Sequence, residues 1–516
     1  MAQNRTAGAR IVPLERWAPV HPAAIAAQRG TFAAPAVPAP ANSRSAALAE
    51  ALDAANTRWG NPVGTEIARW LAGAEVVVTG QQPGLLGGPL LTLVKACAVA
   101  AEVRRRCAAG RQAVGVLWLA TGDDDLEEMG WGRVVAGDEV AEVREPGWKR
   151  GGALGGTATL SAACGTFLDG LRTLLPGQHA SAAIDVASEC YRPGVTLGAA
   201  TATFLARLLG GTGIVLVDSL ELEIARAAAP LLERVLRNLP ACWGALDAGG
   251  RKLEAQGWAP PLRISPRKLP LFRRVGDHRV SVATAGGACE PALVEEVVAH
   301  PERFVPNAWL RPLVQDASLG TAAAVLGGAE LAYHLQTVEV REVAGIGRPE
   351  WVLRPHVTIV TAAERRLAGQ LRVEPEQLLR STPPAYALPG KTTRKRLQRL
   401  RTAVEREIAA LSHAATAELP SLAGDVEATT RKLDAAVRWL EGRASSAASH
   451  DAEVEMGRWR RLRAFVRPDG APQERRLSVL APLLRLGPEW SAQLVAALEL
   501  DTSEMQLLFW EDGGLW

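Results

Sequence analysis

Three stretches carry side chains whose types and spacing suit chemistry. In "LWLATGDDDLEEMGW" an apolar run is followed at once by Asp123, Asp124, Asp125, Glu127 and Glu128. Clustered carboxylates can hold a divalent cation, receive a substrate ammonium or act as a general base, and Asp123, Asp125 and Glu128 are the catalytic candidates. In "AEVVVTGQQPGLLGGPLLTLVKACAVAAEVRRR", Thr79, Gly80, Gln81, Gln82, Gly84 and Gly88 stand between an apolar run and a long helical pattern. Glycine lets the backbone approach a ligand and a helix N-terminus points N–H groups at it, so Thr79 to Gly88 is expected to cradle a carboxylate or phosphate. Gln81 and Gln82 would add directional hydrogen bonds, and Lys95 would support the anion from two turns into the helix. In "NAWLRPLVQDASLGTAAAVLGGAELAYHLQ", Asn307, Arg311, Gln315, Asp316, Glu330 and Tyr333 form a third binding set. Arg311 can clamp an acid group bidentately, while Gln315 and Asp316 position polar partners. His334 and His356 are isolated histidines and are expected in packing roles. The sequence shows no Ser/His/Asp or Cys/His arrangement.

Elements must hold these residues in place. Val76, Val77 and Val78 are consecutive β-branched residues, which fits a strand buried on both faces. Pro89 followed by an unbroken apolar pattern ending in Arg104, Arg105 and Arg106 predicts a helix from about Pro89 to Arg106. Further strands are expected at Ala113 to Ala120, Gly213 to Asp218 and "WVLRPHVTIV", with helices between them. This alternation predicts an α/β fold with a doubly wound parallel core. The acidic run and the glycine-rich segment would then both lie at the carboxyl edge of the sheet. The expected layout is a helical and loop segment over 1–70, core over 71–133 and 191–250, and insertions at 134–190 and 251–300. Core resumes over 301–390, a helical hairpin occupies 391–450, and 451–516 packs on the core. In the hairpin, stripes of Leu397, Leu400, Val404, Ile408 and Leu411 and of Val426, Leu433, Val437 and Leu440 face one way. "ELPSLAGD" is the turn between the two helices.

Composition narrows the function. The 516 residues carry a formal net charge of +3, close to balance for this length, so neither nucleic acid nor an anionic membrane is implied as a partner. Gly84 to Val103 is apolar enough to suggest a membrane span, but Lys95 near its middle argues for a buried helix of a large domain. The six cysteines are scattered, with no metal-ligand spacing, so no metal site is assigned. That pattern and an N-terminus without an apolar signal segment make the cytoplasm the expected location.

"VVVTGQQPGLLGGPLLTLVKA", "LWLATGDDDLEEM", "GIVLVD", "LRPLVQDA", "GGAELAYHLQ" and "RPDGAPQERRLSVLAPLLRLG" together resemble the bacillithiol biosynthesis cysteine-adding enzyme family, BshC, over nearly all the chain from about Ala46. The resemblance implies a Rossmann-like core related to class I aminoacyl-tRNA synthetases, two insertions, and a C-terminal helical hairpin that makes a homodimer. It also implies a ligase joining the carboxyl of cysteine to the glucosamine amine of glucosaminyl malate, with those small molecules as partners. Gly122 and Asp124 depart from a Glu-Asp-His-Asp pattern usual there, while Asp123, Asp125 and Glu128 are kept. Neither HxGH nor KMSKS is present, so the cofactor is open; ATP with Mg²⁺ would fit the need to activate a carboxylate. A non-catalytic relative that binds a nucleotide or sugar acid, and an amide ligase for another amino acid and sugar amine, stay open as alternatives.

Overall fold

The computed structural model describes residues 9–12, 22, 25–26, 44–373, 377, 379, 391–446, 450–500, 505–511 and 514–515. Five parallel strands form the central sheet: β1 (Glu75–Gln81), β2 (Ala113–Leu119), β3 (Ile214–Asp218), β4 (Thr321–Leu326) and β5 (Glu350–Leu353). Their order is β5-β4-β1-β2-β3, with every neighbouring pair parallel. The chain winds from β1 toward β3 on one side and returns to β4 and β5 on the other. The expected α/β, Rossmann-like doubly wound core is therefore present.

Burial explains the sheet. Val76, Val77 and Val78 are fully buried, and β2 is buried along its whole length, as strands covered by helices on both faces must be. Helix α1 (Leu91–Ala108) follows β1, and α2 (Leu126–Met129), a single turn, follows β2. Helix α3 (Leu310–Leu319) leads into β4 and α4 (Gly328–Gln336) leaves it. Edge strand β3 is protected: Asn56 donates to the Leu216 carbonyl at 2.9 Å and accepts from the Leu216 amide at 3.0 Å, occupying the open ladder positions. At the amino edge, buried Arg106 ties the sheet together through Glu102, Glu75 and Glu350.

The segment "WVLRPHVTIV" departs from the single strand expected of it. It forms β5 and a second strand, His356–Thr361, that belongs to another sheet. Arg354 and Pro355 separate the two, since Pro cannot donate to a ladder. The second strand pairs parallel to Met505–Glu511, which pairs antiparallel to Ala9–Val12. Side chains take over on its other flank. Gln473 accepts from the Ile359 amide at 2.7 Å and Glu474 from the Val357 amide at 3.0 Å.

The expected boundary at 134 falls inside a strand, Trp131–Ala136, which pairs with Glu139–Arg144; helices Ala163–Leu174 and Gln178–Cys190 follow. The stretch 251–300 holds the antiparallel hairpin Lys268–Val275 and His278–Ala283 and helix Pro291–Ala299. Apart from the three-residue turn 137–139, the described residues through Ala362 and from Ala471 onward form one compact unit; those of 363–470 form most of a second. In the second unit the hairpin is Lys391–Glu418 and Ala423–Ser446, with the turn at Pro420–Leu422, and a third helix, His450–Val466, joins them. Val437 is buried there, whereas Leu411 is 55% and Trp439 65% exposed. No described helix is long and apolar enough to cross a membrane.

Candidate functional site

The carboxyl edge between β1 and β4 is the point where the strand order reverses, and such a crevice is where open α/β sheets bind ligands. Two adjoining cavities open there, of about 330 and about 220 Å³, sharing Gln81, Gln82, Glu128 and Glu330 in their walls. The larger adds Thr79, Gly80, Trp118, Arg311, Gln315, Tyr333 and His334. The smaller adds Gly84, Gly88, Lys95, Trp131, Arg354 and Arg475.

The glycine-rich segment is more closely packed than its composition suggests. Thr79, Gly80 and Gln81 are still in β1, with the Thr79 hydroxyl donating to the Val325 carbonyl at 2.8 Å. The turn that follows is packed: Leu85 and Leu86 are fully buried. Three of its amides are already engaged. That of Gly84 donates to the Thr201 hydroxyl at 3.1 Å, that of Gly87 to the Tyr191 hydroxyl at 2.7 Å, and that of Gly88 to the Leu85 carbonyl at 2.9 Å. The glycines serve close approach instead. A Cβ on Gly84 would lie 2.7 Å from the Gly88 Cα, and one on Gly87, at φ 86°, would lie 2.6 Å from the Val479 Cβ.

The acidic loop is not an open cation site, because this chain's own arginines occupy it. Asp123 Oδ2 accepts from Gln82 Nε2 at 2.8 Å and lies 3.6 Å from Arg311 Nη1. Its Oδ1 accepts from the Asp124 amide at 2.8 Å and from Arg279 Nη2 at 3.3 Å. Burial opposes the charge, yet Arg311, Gln82 and Arg279 hold the Asp123 carboxyl below its usual range. Asp124 pairs with Arg279 at 2.5 Å. Asp125 caps α2 by accepting from the Glu128 amide at 3.2 Å and lies 3.4 Å from Arg150, so it has a local structural task. Glu128 is different: it is an exposed residue that borders both cavities, and desolvation by the protein around it, with Asp125 and Asp123 nearby, pushes its carboxyl upward. Among the described residues no group of three or more His, Cys, Asp or Glu side chains is arranged to hold a metal ion.

Between the cavities, Lys95 Nζ donates to the Gly80 carbonyl at 2.8 Å, Gln81 Oε1 at 3.1 Å and Glu330 Oε1 at 2.6 Å. Burial lowers the affinity of Lys95 for its proton and Glu330 opposes that. The other oxygen of Glu330 accepts from the Gly327 amide at 2.6 Å, so this carboxylate caps α4 and fixes Lys95 at once. Gln315, nearly fully buried, approaches Gly80, where a Cβ would lie 3.4 Å from its Oε1. Burial and Glu330 push the Tyr333 phenol upward.

Asn307 and Asp316 do not line either cavity. Asn307 accepts from the Trp309 and Leu310 amides at 3.2 Å each and so starts α3. Asp316 is fully buried and accepts from Arg341 at 2.6 Å, a packing role that its place on the inner face of α3 dictates.

Several cavity residues escape sequence reasoning. Arg354 is anchored by Glu474 at 2.7 and 2.9 Å, and Glu474 also accepts from His356 Nδ1 at 3.0 Å when that nitrogen carries the proton. Arg354 and His356 outweigh burial and hold Glu474 well below the usual carboxylate range. Arg475 reaches the smaller cavity beside Arg354, and burial followed by that neighbouring charge lowers its affinity for its proton. His334 stacks on Tyr333 at 5.1 Å, and burial keeps its imidazole neutral, with Arg341, Arg311 and Lys95 adding to the effect. His334 and Arg475 sit inside the informative stretches "GGAELAYHLQ" and "RPDGAPQERRL", so adjacency was the signal available. Arg279 had none, because Arg is abundant throughout the chain.

Comparison with known proteins agrees with this architecture. The family described as "Bacillithiol biosynthesis BshC, N-terminal Rossmann-like domain" matches residues 33–355, and "Bacillithiol biosynthesis BshC, C-terminal coiled-coil domain" matches residues 392–510. A protein of Thermus thermophilus named "Putative cysteine ligase BshC" is 30% identical over 433 residues, covering 80% of this chain and 84% of that protein. Proteins of the same name are 28% identical over 90% of this chain in Solibacter usitatus, with 89% of that protein covered, and 32% identical in Koribacter versatilis, over 57% of each chain.

Proposed function

The chain belongs to the BshC family of bacillithiol biosynthesis, and from that premise we propose that it is an amide-forming ligase that joins cysteine to the glucosamine amine of glucosaminyl malate. One observation carries the reading. Glu128, a carboxylate with a raised proton affinity, borders both cavities, and each cavity has its own cations. The smaller offers Arg475 as the cation for an acid group such as that of malate, with Arg354 and Lys95, already paired to Glu474 and Glu330, in the same wall. The larger offers Arg311, Gln315 and Tyr333, which suit the cysteine. Glu128 between them takes a proton from the attacking amine as the new C–N bond forms and the activating group leaves the acyl carbon. A free carboxylate is a poor electrophile, so the cysteine carboxyl must be activated first; ATP with Mg²⁺ is the donor to try.

The test is to incubate the purified protein with cysteine and glucosaminyl malate, with and without ATP and Mg²⁺, and to read bacillithiol by mass spectrometry. Product in any arm supports the reading. No product in all arms, with the protein folded, overturns it. For Glu128 as base, the deprotonated form is the active one, so activity falls as pH drops through its raised pKa. The acid limb of kcat/KM is expected above the ordinary glutamate range, and Glu128→Gln removes that limb along with at least tenfold of the rate.

The hairpin belongs to the same reading. Leu400, Leu411, Leu433, Trp439 and Leu440 are each at least 40% exposed, an apolar surface suited to a second copy of this chain. Light scattering at micromolar concentration should give the mass of a dimer, and a monomer there overturns this part.

A further inference from the structure

Arg279 belongs to none of the stretches that carry the family resemblance, yet it is the residue that organises the acidic loop. It projects from the strand His278–Ala283 and stacks its guanidinium 4.5 Å over the Phe272 ring of the paired strand. From there Nη1 donates to the Gly122 carbonyl at 2.9 Å, and Nη2 reaches Asp124 at 2.5 Å and Asp123 Oδ1 at 3.3 Å. Its side chain is only 15% exposed, so this is a held contact and not a passing surface pair.

The geometry divides the Asp123 carboxylate in two. Oδ1 faces Arg279 and the loop amides, while Oδ2 holds Gln82 at 2.8 Å and Arg311 at 3.6 Å. Asp124 takes the shorter of the two Arg279 contacts, and Asp123 Oδ2 is left to Gln82 and Arg311. Four charges, two acids and two arginines, thus form a chain whose outer end, Arg311, lines the larger cavity.

We propose that Arg279 and Asp124 form a positioning pair that fixes the acidic loop and, through Asp123, aims Arg311 and Gln82 at the ligand. At position 124 the carboxylate meets Arg279 at 2.5 Å. Neither residue touches the reacting atoms. The inference rests on the ligase reading for its kinetic arm alone.

The test combines kinetics with amide hydrogen exchange. Arg279→Gln should raise the KM for the substrate held by Arg311 at least tenfold while kcat changes less than threefold. Peptides covering 120–129 and 307–316 should exchange faster in the variant, and the helix Lys391–Glu418 should not change. Arg279→Lys keeps the charge but not the fork, so it should restore only part of both effects. Asp124→Asn should raise KM severalfold in the wild-type background and less than twofold on top of Arg279→Gln, because its partner is then gone. Unchanged KM and exchange in Arg279→Gln, or equal effects of Asp124→Asn in both backgrounds, overturns the pair. If Arg279→Gln does not fold, Arg279→Lys carries the same readouts. If the wild type makes no bacillithiol, the ligase reading falls and the exchange measurement still decides the pair.

Discussion

The glycine-rich turn after β1 and the acidic loop after β2 lie side by side on one edge of one sheet, and both look in sequence like places for a ligand. They are built in opposite ways. The turn is closed by packing and neutral hydrogen bonds: Leu86 is buried at φ 55°, and Tyr191 and Thr201 occupy two of its amides. The loop is closed by charge, with Arg279, Arg311 and Arg150 each against one of its carboxylates. The contrast separates what a mutation in each should disturb. A packed turn fails through stability, whereas a charge-held loop fails first through the alignment of groups facing the cleft.

The largest effect is expected in the turn. Gly87→Ala places a Cβ into Val479 at a backbone angle that favours glycine, with Phe204 at 3.1 Å on another side. It should cost about 3 kcal/mol or more in chemical denaturation, or prevent folding. A stable, active Gly87→Ala would show that the turn is pliable and reopen it as a ligand cradle. In the loop, Asp123→Asn should lower kcat/KM at least tenfold, about 1.4 kcal/mol, with a much smaller change in unfolding free energy. The reverse split, lost stability with normal turnover, would make the loop a packing device like its neighbour. The smallest effect is expected at Asp125. Asn caps helices as well as Asp does and Arg150 is 79% exposed, so Asp125→Asn should change stability by about 0.5 kcal/mol or less and turnover less than threefold. A tenfold loss of turnover there would place Asp125 in the chemistry after all.

The second unit sharpens the same lesson from outside the cleft. Its apolar stripes were legible as helix periodicity, and the two helices form where that periodicity places them. Their exposed leucines say that one hairpin does not bury its own stripe.

Sequence by itself determined the elements. Three adjacent valines specify a strand buried on both faces, Pro89 and the run of arginines bound a helix, and strand–helix alternation specifies a parallel sheet. Of the residues singled out in the sequence, Gln82, Glu128, Glu330 and Tyr333 line the larger cavity from segments that follow parallel strands, while Arg311 and Gln315 line it from the helix that precedes β4. Tertiary structure alone decided which polar groups are free to meet a ligand. Whether a glycine amide is open depends on Tyr191 and Thr201, more than 100 positions away, and whether Asp123 can take a cation depends on Arg279, 156 positions away. The Arg354 side chain is held at the cleft by Glu474, 120 positions later. Helix and strand periodicity are set by neighbours along the chain. The satisfaction of a buried charge or hydrogen bond is set by whichever partner the fold brings within about 3 Å, and no local pattern encodes that partner.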